Sequence, residues 1–413
     1  MSQKDVGRNL RGAVEAPANN DPLAPLDPGF GIVKTEDRSS WNAVLKMLPP
    51  EIAQDPSAQF INPSLASALK EYLTEQAAIH GVETLSLEQY QTLAQEKLGH
   101  EKIKTFLTTM NELLKEREEN PYHGGYHSRV EVPQRVQDVT KNLSPALSKE
   151  DFGILMCAAA AHDLMHAATG YAQRLTPGLN ISNEERAVIH ATQFALEAGF
   201  NPVHALQLQL LILPTSFFQK PEQLGLAQNP DATVPLINEV DLSNFSFDGT
   251  VWNQQDKTVK KECFARTYDP DASKDPHTKL MAQVLTLADI LVTYGVTDNT
   301  RDAAFRSWIE TAGNLFLEAR HGQGYFPPTV EAFASAQSDF IKTHTRARLD
   351  ALKPHLKEEF YNEHIKRIET FAQRLQDAVN NTTSEDGILL AKTVNTYLNS
   401  TPKPPKVQGL GFE

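Results

Sequence analysis

Asn120 to His127 reads NPYHGGYH, and thirty-five residues after its second histidine stands the adjacent pair His162-Asp163. Histidine offers a neutral nitrogen donor and aspartate a hard anionic oxygen. That mixture suits Zn²⁺, Mn²⁺ or Fe²⁺ better than either donor type alone. Asp289, in the run LADI, would close a four-donor set of His127, His162, Asp163 and Asp289. Four protein donors leave coordination positions open for water, and the second oxygen of Asp163 could bridge to another ion. His123 stands outside the set and is free for proton work. A lone histidine is more often a surface or hydrogen-bonded structural residue, and His190, His204, His277, His344 and His355 are read that way. The order and context of the five-residue set point instead to a metal site.

The elements that must position these residues are helical. Residues 1–38 are rich in Gly, Pro, Asn and Asp without apolar periodicity, which predicts a flexible leader. From Trp41 the runs WNAVLKML, LASALKEYL, LEQYQTLAQEKL and IKTFLTTMNELLKE space apolar residues three and four apart, so 39–118 is predicted to be a helical lead-in. Gly124 and Gly125 predict a turn or helix start beside the first motif histidine. FGILMCAAAAHDLMHAA is apolar on nearly every face, as in a buried central helix with His162 and Asp163 near its C-terminal end. Two more helices follow, the first ended by Gly199 and the second broken by Pro214. The polar stretch 221–277, with its strand-like FSFDGTVW, predicts one long, partly β insertion, a hairpin or lid over the core. Helical periodicity resumes at Lys279. The segment 386–413 is read as a C-terminal helix and loose tail. The expected fold class is therefore all-α.

The 413 residues suffice for a sizeable core, and the net charge of -13 argues against a nucleic-acid-binding surface, which needs clustered Lys and Arg. Two cysteines, Cys157 and Cys263, imply no disulfide framework. No apolar stretch approaches a membrane span and no signal peptide is visible. The expectation is a soluble protein, cytoplasmic or secreted without a cleaved signal.

Histidine followed directly by aspartate, with an isolated histidine upstream and an isolated aspartate far downstream, resembles the ligand pattern of the HD superfamily of phosphohydrolases. The YHxxxH opening at Tyr122 is similar to the signature of class I cyclic-nucleotide phosphodiesterases. That resemblance covers roughly residues 100–355 and implies an HD-type multi-helix catalytic domain, placed at 119–385. It implies that His123 protonates the departing 3′ oxygen while His127 belongs to the metal shell. It also implies that His166, completing HDxxH, organises water near a second ion. Trp308, FLEARHGQG and AQSDFI fall in the family's order. In the last, Gln337 would hydrogen-bond a purine edge and Phe340 would stack on its ring, with Tyr122 also on the substrate side. The implied cofactors are Zn²⁺ at the four-ligand site and Mg²⁺ or Mn²⁺ at a second position shared through Asp163.

Several positions depart from the family pattern. Gly124 replaces the usual asparagine, Ser128 and Val130 follow His127, Met165 replaces an aspartate, and Thr215-Ser216 stands where a threonine-aspartate pair is usual. Glu184 and Glu185 only loosely echo the family's acidic segment, and His190 stands where a glutamate is usual. The resemblance thus implies hydrolysis of a 3′,5′-cyclic nucleotide to the 5′-monophosphate. The competing expectations are a diesterase or phosphatase acting on another nucleotide-like or protein-attached ester, and a non-catalytic nucleotide-binding module. A small-molecule nucleotide is the expected substrate of the first reading, and a protein partner or substrate stays open under the second.

Overall fold

The computed structural model describes residues 35–115, 125–164, 183–215, 245–247, 252–254, 268–293, 301–320 and 326–399. The lead-in comprises α1 (Thr35–Met47), α2 (Pro50–Ala53), α3 (Ala66–His80), α4 (Leu87–Ala94) and α5 (His100–Lys115). Helix α1 begins inside the segment expected to be leader, which therefore does not extend to residue 38. Its polar first turn carries Glu36 and Asp37. Acidic groups there favour a helix N-terminus but look like leader composition in the sequence.

The lead-in is bound to the following helices by buried polar groups. Asn62 Nδ2 donates to Thr192 Oγ1 at 2.9 Å and to Gln209 Oε1 at 3.1 Å. Gln209 Nε2 in turn donates to the carbonyls of Ser57 and Phe60 at 2.8 and 3.0 Å. Each bond satisfies a group that would otherwise be buried at a cost of about 1–3 kcal/mol.

A π-turn at His127–Glu131 leads into α6 (Val132–Thr140), and α7 (Lys149–Ala161) follows. Ser148 and Asp151 form a capping box at the start of α7. Helix α7 is buried along nearly its whole length, and its four consecutive alanines let neighbouring helices approach closely. It packs against α5 and α6, and against α9 (Pro202–Ile212) and α10 (Pro276–Thr293). Helix α8 (Asn183–Glu197) lies against α9. It ends at Gly199, whose φ of 82° is readily reached only by glycine.

Helices α11 (Arg301–Arg320), α12 (Val330–Phe340), α13 (Arg346–Leu352), α14 (Glu358–Asn380) and α15 (Glu385–Leu398) complete the fold. In this group α11 packs on α15 and α12 on α14, while α13 lies on α10 and ties the group to the centre. One continuous apolar cluster runs from Trp41 to Tyr397. The fold is all-α.

Among the described residues, paired extended backbone is limited to β1 (Phe245–Phe247) with β2 (Trp252–Gln254), and a bridge between Leu143 and Leu356. The strands pair antiparallel with Ser246 opposite Asn253. Three residues a side do not make the partly β insertion expected over 221–277, most of which lies outside the described residues. The end of that stretch belongs to the core instead. Tyr268 is buried, and Asp275 caps α10 by accepting from the Thr278 amide at 3.0 Å and its hydroxyl at 2.7 Å. A polar cap is easily mistaken for loop in a sequence. None of these helices is long and apolar enough to cross a membrane.

Candidate metal centre

Three segments far apart in the chain bring the four expected donors together. His127 opens the π-turn, His162 and Asp163 leave the C-terminal end of α7, and Asp289 lies near the end of α10. The π-turn is itself a local departure from α-helix of the kind that gathers at functional sites. Gly125 permits its position. A Cβ there would lie 1.9 Å from the Leu114 carbonyl oxygen at the end of α5. Arg129 fastens the same turn, its Nε donating to the Gly125 carbonyl at 3.0 Å.

His127 Nε2 lies 3.1 Å from Asp289 Oδ1 and 3.5 Å from Asp163 Oδ2. His162 Nε2 lies 3.2 Å from Asp163 Oδ2 and 3.5 Å from Asp289 Oδ1. All four residues are buried. Donors held at roughly 2.0–2.2 Å around one ion stand roughly 3.0–3.5 Å from one another. These separations suit a cation held by His127, His162 and Asp163, whose donor atoms all lie within 4.8 Å of one another, with Asp289 bordering that set. His162 Nδ1 is 2.8 Å from the Ala159 carbonyl, which fixes the ring and turns Nε2 inward. There Nε2 is buried without a hydrogen bond of acceptable geometry. An inward imidazole nitrogen between two carboxylates is a position that suits a metal ligand.

The charges agree with this arrangement. Burial opposes a proton on His127, but hydrogen bonds to Asp289 and Glu131 and the two aspartate charges outweigh it and raise its pKa to about 9. His162 is likewise opposed by burial and held well above its ordinary value by Asp163 and Asp289. Burial would raise the pKa of Asp289, yet the two imidazoles bring it down to about 2. Without metal, then, the cluster is a set of imidazolium–carboxylate pairs, and a cation would have to displace the imidazole protons.

Glu131 was not singled out by sequence. Its Oε2 lies 3.8 Å from His127 Nδ1, backing the ring from behind as carboxylates back metal-bound histidines. The available signal was its position four residues after His127 on a helical turn. Behind it, burial and the Glu131 charge push the Glu310 carboxyl up to about 8, and Arg306 lies 3.8 Å from Glu131.

Tyr122, His123, His166, Gly124 and Met165 lie outside the described residues. Gln337 and Phe340 share the last turn of α12, and the Gln337 side-chain oxygen is buried without a hydrogen-bond partner. The Phe340 ring lies 4.7 Å from that of His344. Glu185 is buried and accepts from the Tyr268 hydroxyl. Thr215 is buried at the end of α9, its hydroxyl donating to the Ile212 carbonyl at 2.8 Å.

No family model, curated protein or solved structure matched the chain.

Proposed function

We propose that this protein is a metal-dependent phosphodiester hydrolase that opens 3′,5′-cyclic nucleotides to 5′-monophosphates. The observation that supports it most is the buried set of His127, His162 and Asp163, whose donor atoms lie close enough together to hold an ion, with Asp289 Oδ1 3.1 Å from His127 Nε2. A divalent ion there would supply Lewis acidity and a lowered pKa for water, the chemistry that phosphoester hydrolysis needs near neutral pH. The second carboxylate oxygen of Asp163 would serve a second, more hydrated ion, with Zn²⁺ in the first position and Mg²⁺ or Mn²⁺ in the second.

The chain's own residues would divide the remaining work. His162 is held by the Ala159 carbonyl and the Glu131 carboxylate lies beside His127 Nδ1, an arrangement that would limit reorganisation on binding. His123 would donate a proton to the leaving 3′ oxygen, because an alkoxide is a strong base and a poor leaving group. His166 would order water beside Asp163. Gln337 would meet the purine edge and Phe340 its face, with Tyr122 beside them. The buried, unpartnered Gln337 oxygen suits a residue awaiting a polar ligand.

The test is elemental analysis of the purified chain, followed by product chromatography after incubation with cyclic AMP, cyclic GMP and a panel of other phosphoesters. Bound metal with release of 5′-monophosphate, both lost in Asp163→Ala, is the expected result. Turnover of another ester alone would keep the hydrolase and remove the cyclic nucleotide. Metal without turnover of any ester would mark a binding module, and absence of metal binding would overturn the proposal.

A further inference from the structure

Helices α7 and α10 are joined at both ends. At one end His277 Nε2 lies 2.8 Å from Asp151 Oδ1, and at the other His162 Nε2 lies 3.5 Å from Asp289 Oδ1. Asp151 and His162 are eleven residues apart, and His277 and Asp289 are twelve. The two segments therefore run parallel, in register to within one residue, over roughly 17 Å at about 1.5 Å per residue.

The distal pair is more elaborate than a helix cap needs. Asp151 is only 3 % exposed. Its Oδ2 accepts from the Ser148 N–H at 3.3 Å while its own N–H donates to Ser148 Oγ at 3.0 Å, and these two bonds already complete the cap. Its Oδ1 takes two further partners from other elements, Gln95 Nε2 at 2.5 Å and His277. Gln91, one turn earlier on α4, donates to Asp275 Oδ1 at 3.1 Å, immediately before α10. A buried carboxylate thus gathers donors from the end of α4 and the start of α10 while it caps α7.

We propose that Asp151 and His277 are positioning residues for the metal centre: they set the register of α10 on α7 and so hold Asp289 opposite His162 and Asp163. The proposal presupposes the metal centre for its effect on metal, but not for its effect on register. A slip of one residue would move Asp289 by about 1.5 Å along the helix. Ligand distances are tolerant to only about 0.2 Å, so a slip of that size removes a ligand.

Co²⁺ is the probe, because its visible d–d absorption reports the number and geometry of ligands. Titration of the full chain should show at least tenfold weaker binding and an altered band in His277→Ala, approaching Asp289→Asn. His277→Gln should restore both, since its amide can donate to Asp151 Oδ1. Asp151→Asn supplies a second disruption should His277→Ala fail to fold. Hydrogen exchange on the metal-free protein gives an independent measure: His277→Ala should speed exchange at residues 286–292, at the far end of α10, and His277→Gln should not. An unchanged Co²⁺ band and affinity in His277→Ala, or faster exchange confined to residues 276–281, would overturn the positioning role. Failure of the unaltered protein to bind Co²⁺ would remove the metal centre instead, and the exchange data would then decide the register claim alone.

Discussion

Loading the centre with metal should reverse the sign of its pH dependence. Without metal, His127 titrates at about 9 because Asp289, Glu131 and Asp163 favour its proton, against an ordinary value of about 6.5. A raised folded-state pKa contributes stability that is fully present below about 6.5 and is lost as pH climbs through about 9. The metal-free protein should therefore melt at progressively lower temperature across that window. A bound cation needs both imidazoles neutral, so its affinity, and the stability it adds, should rise over the same window.

At pH 7 the proton on His127 lies about two pH units below its pKa, so removing it costs roughly 3 kcal/mol, and His162 adds a cost of the same sign. Asp289, with a pKa of about 2, is already ionised and adds nothing. Zn²⁺ binding at pH 7 should thus release close to two protons from the protein. Calorimetry in buffers of differing ionisation enthalpy counts them directly, and paired melting curves from pH 6.5 to 9 supply the slopes. A proton count near zero, or melting temperatures that fall with pH equally with and without Zn²⁺, would refute the reasoning and leave the cluster as a buried ion-pair network.

Asp163→Ala should abolish both metal content and hydrolysis, whereas His166→Ala should weaken them less; elemental analysis with product chromatography checks both. His123→Ala should retain metal and slow turnover of a cyclic nucleotide by roughly 10²–10⁴-fold, with a smaller loss on a p-nitrophenyl phosphodiester whose leaving group hardly needs a proton. Loss of metal in that variant, or equal slowing of both substrates, would make His123 a ligand or a phosphate-positioning group. Phe340→Ala should raise KM for a purine substrate by stacking worth on the order of 1–3 kcal/mol, and an unchanged KM would return Phe340 to the packing of α12. Gly125→Ala should destabilise the protein by about 1–3 kcal/mol in denaturant titration, because its Cβ would meet the Leu114 carbonyl oxygen at 1.9 Å; wild-type stability would show that the π-turn can shift.

Much of this protein is legible in its sequence. Apolar spacing predicts the helices, an apolar run marks α7 as central, and the chemistry of histidine and aspartate nominates His127, His162, Asp163 and Asp289 together. These signals are local, set by periodicity and residue type, so the chain carries them openly. The polar termini were harder to read: the first turn of α1 resembles leader and the Asp275 cap resembles loop, because caps and loops draw on the same residues.

Only tertiary structure could place Asp289, more than a hundred residues from Asp163, within 3.1 Å of His127. The sequence around Glu131, Asp151 and His277 likewise carries no sign of their partners: His277 is a hydrogen-bonded structural residue, as expected, but its partner Asp151 lies 126 positions away. Their significance depends on which helices lie side by side and in what register. Packing of α6, α7 and α10 around one core decides that register, and no single segment's periodicity contains it.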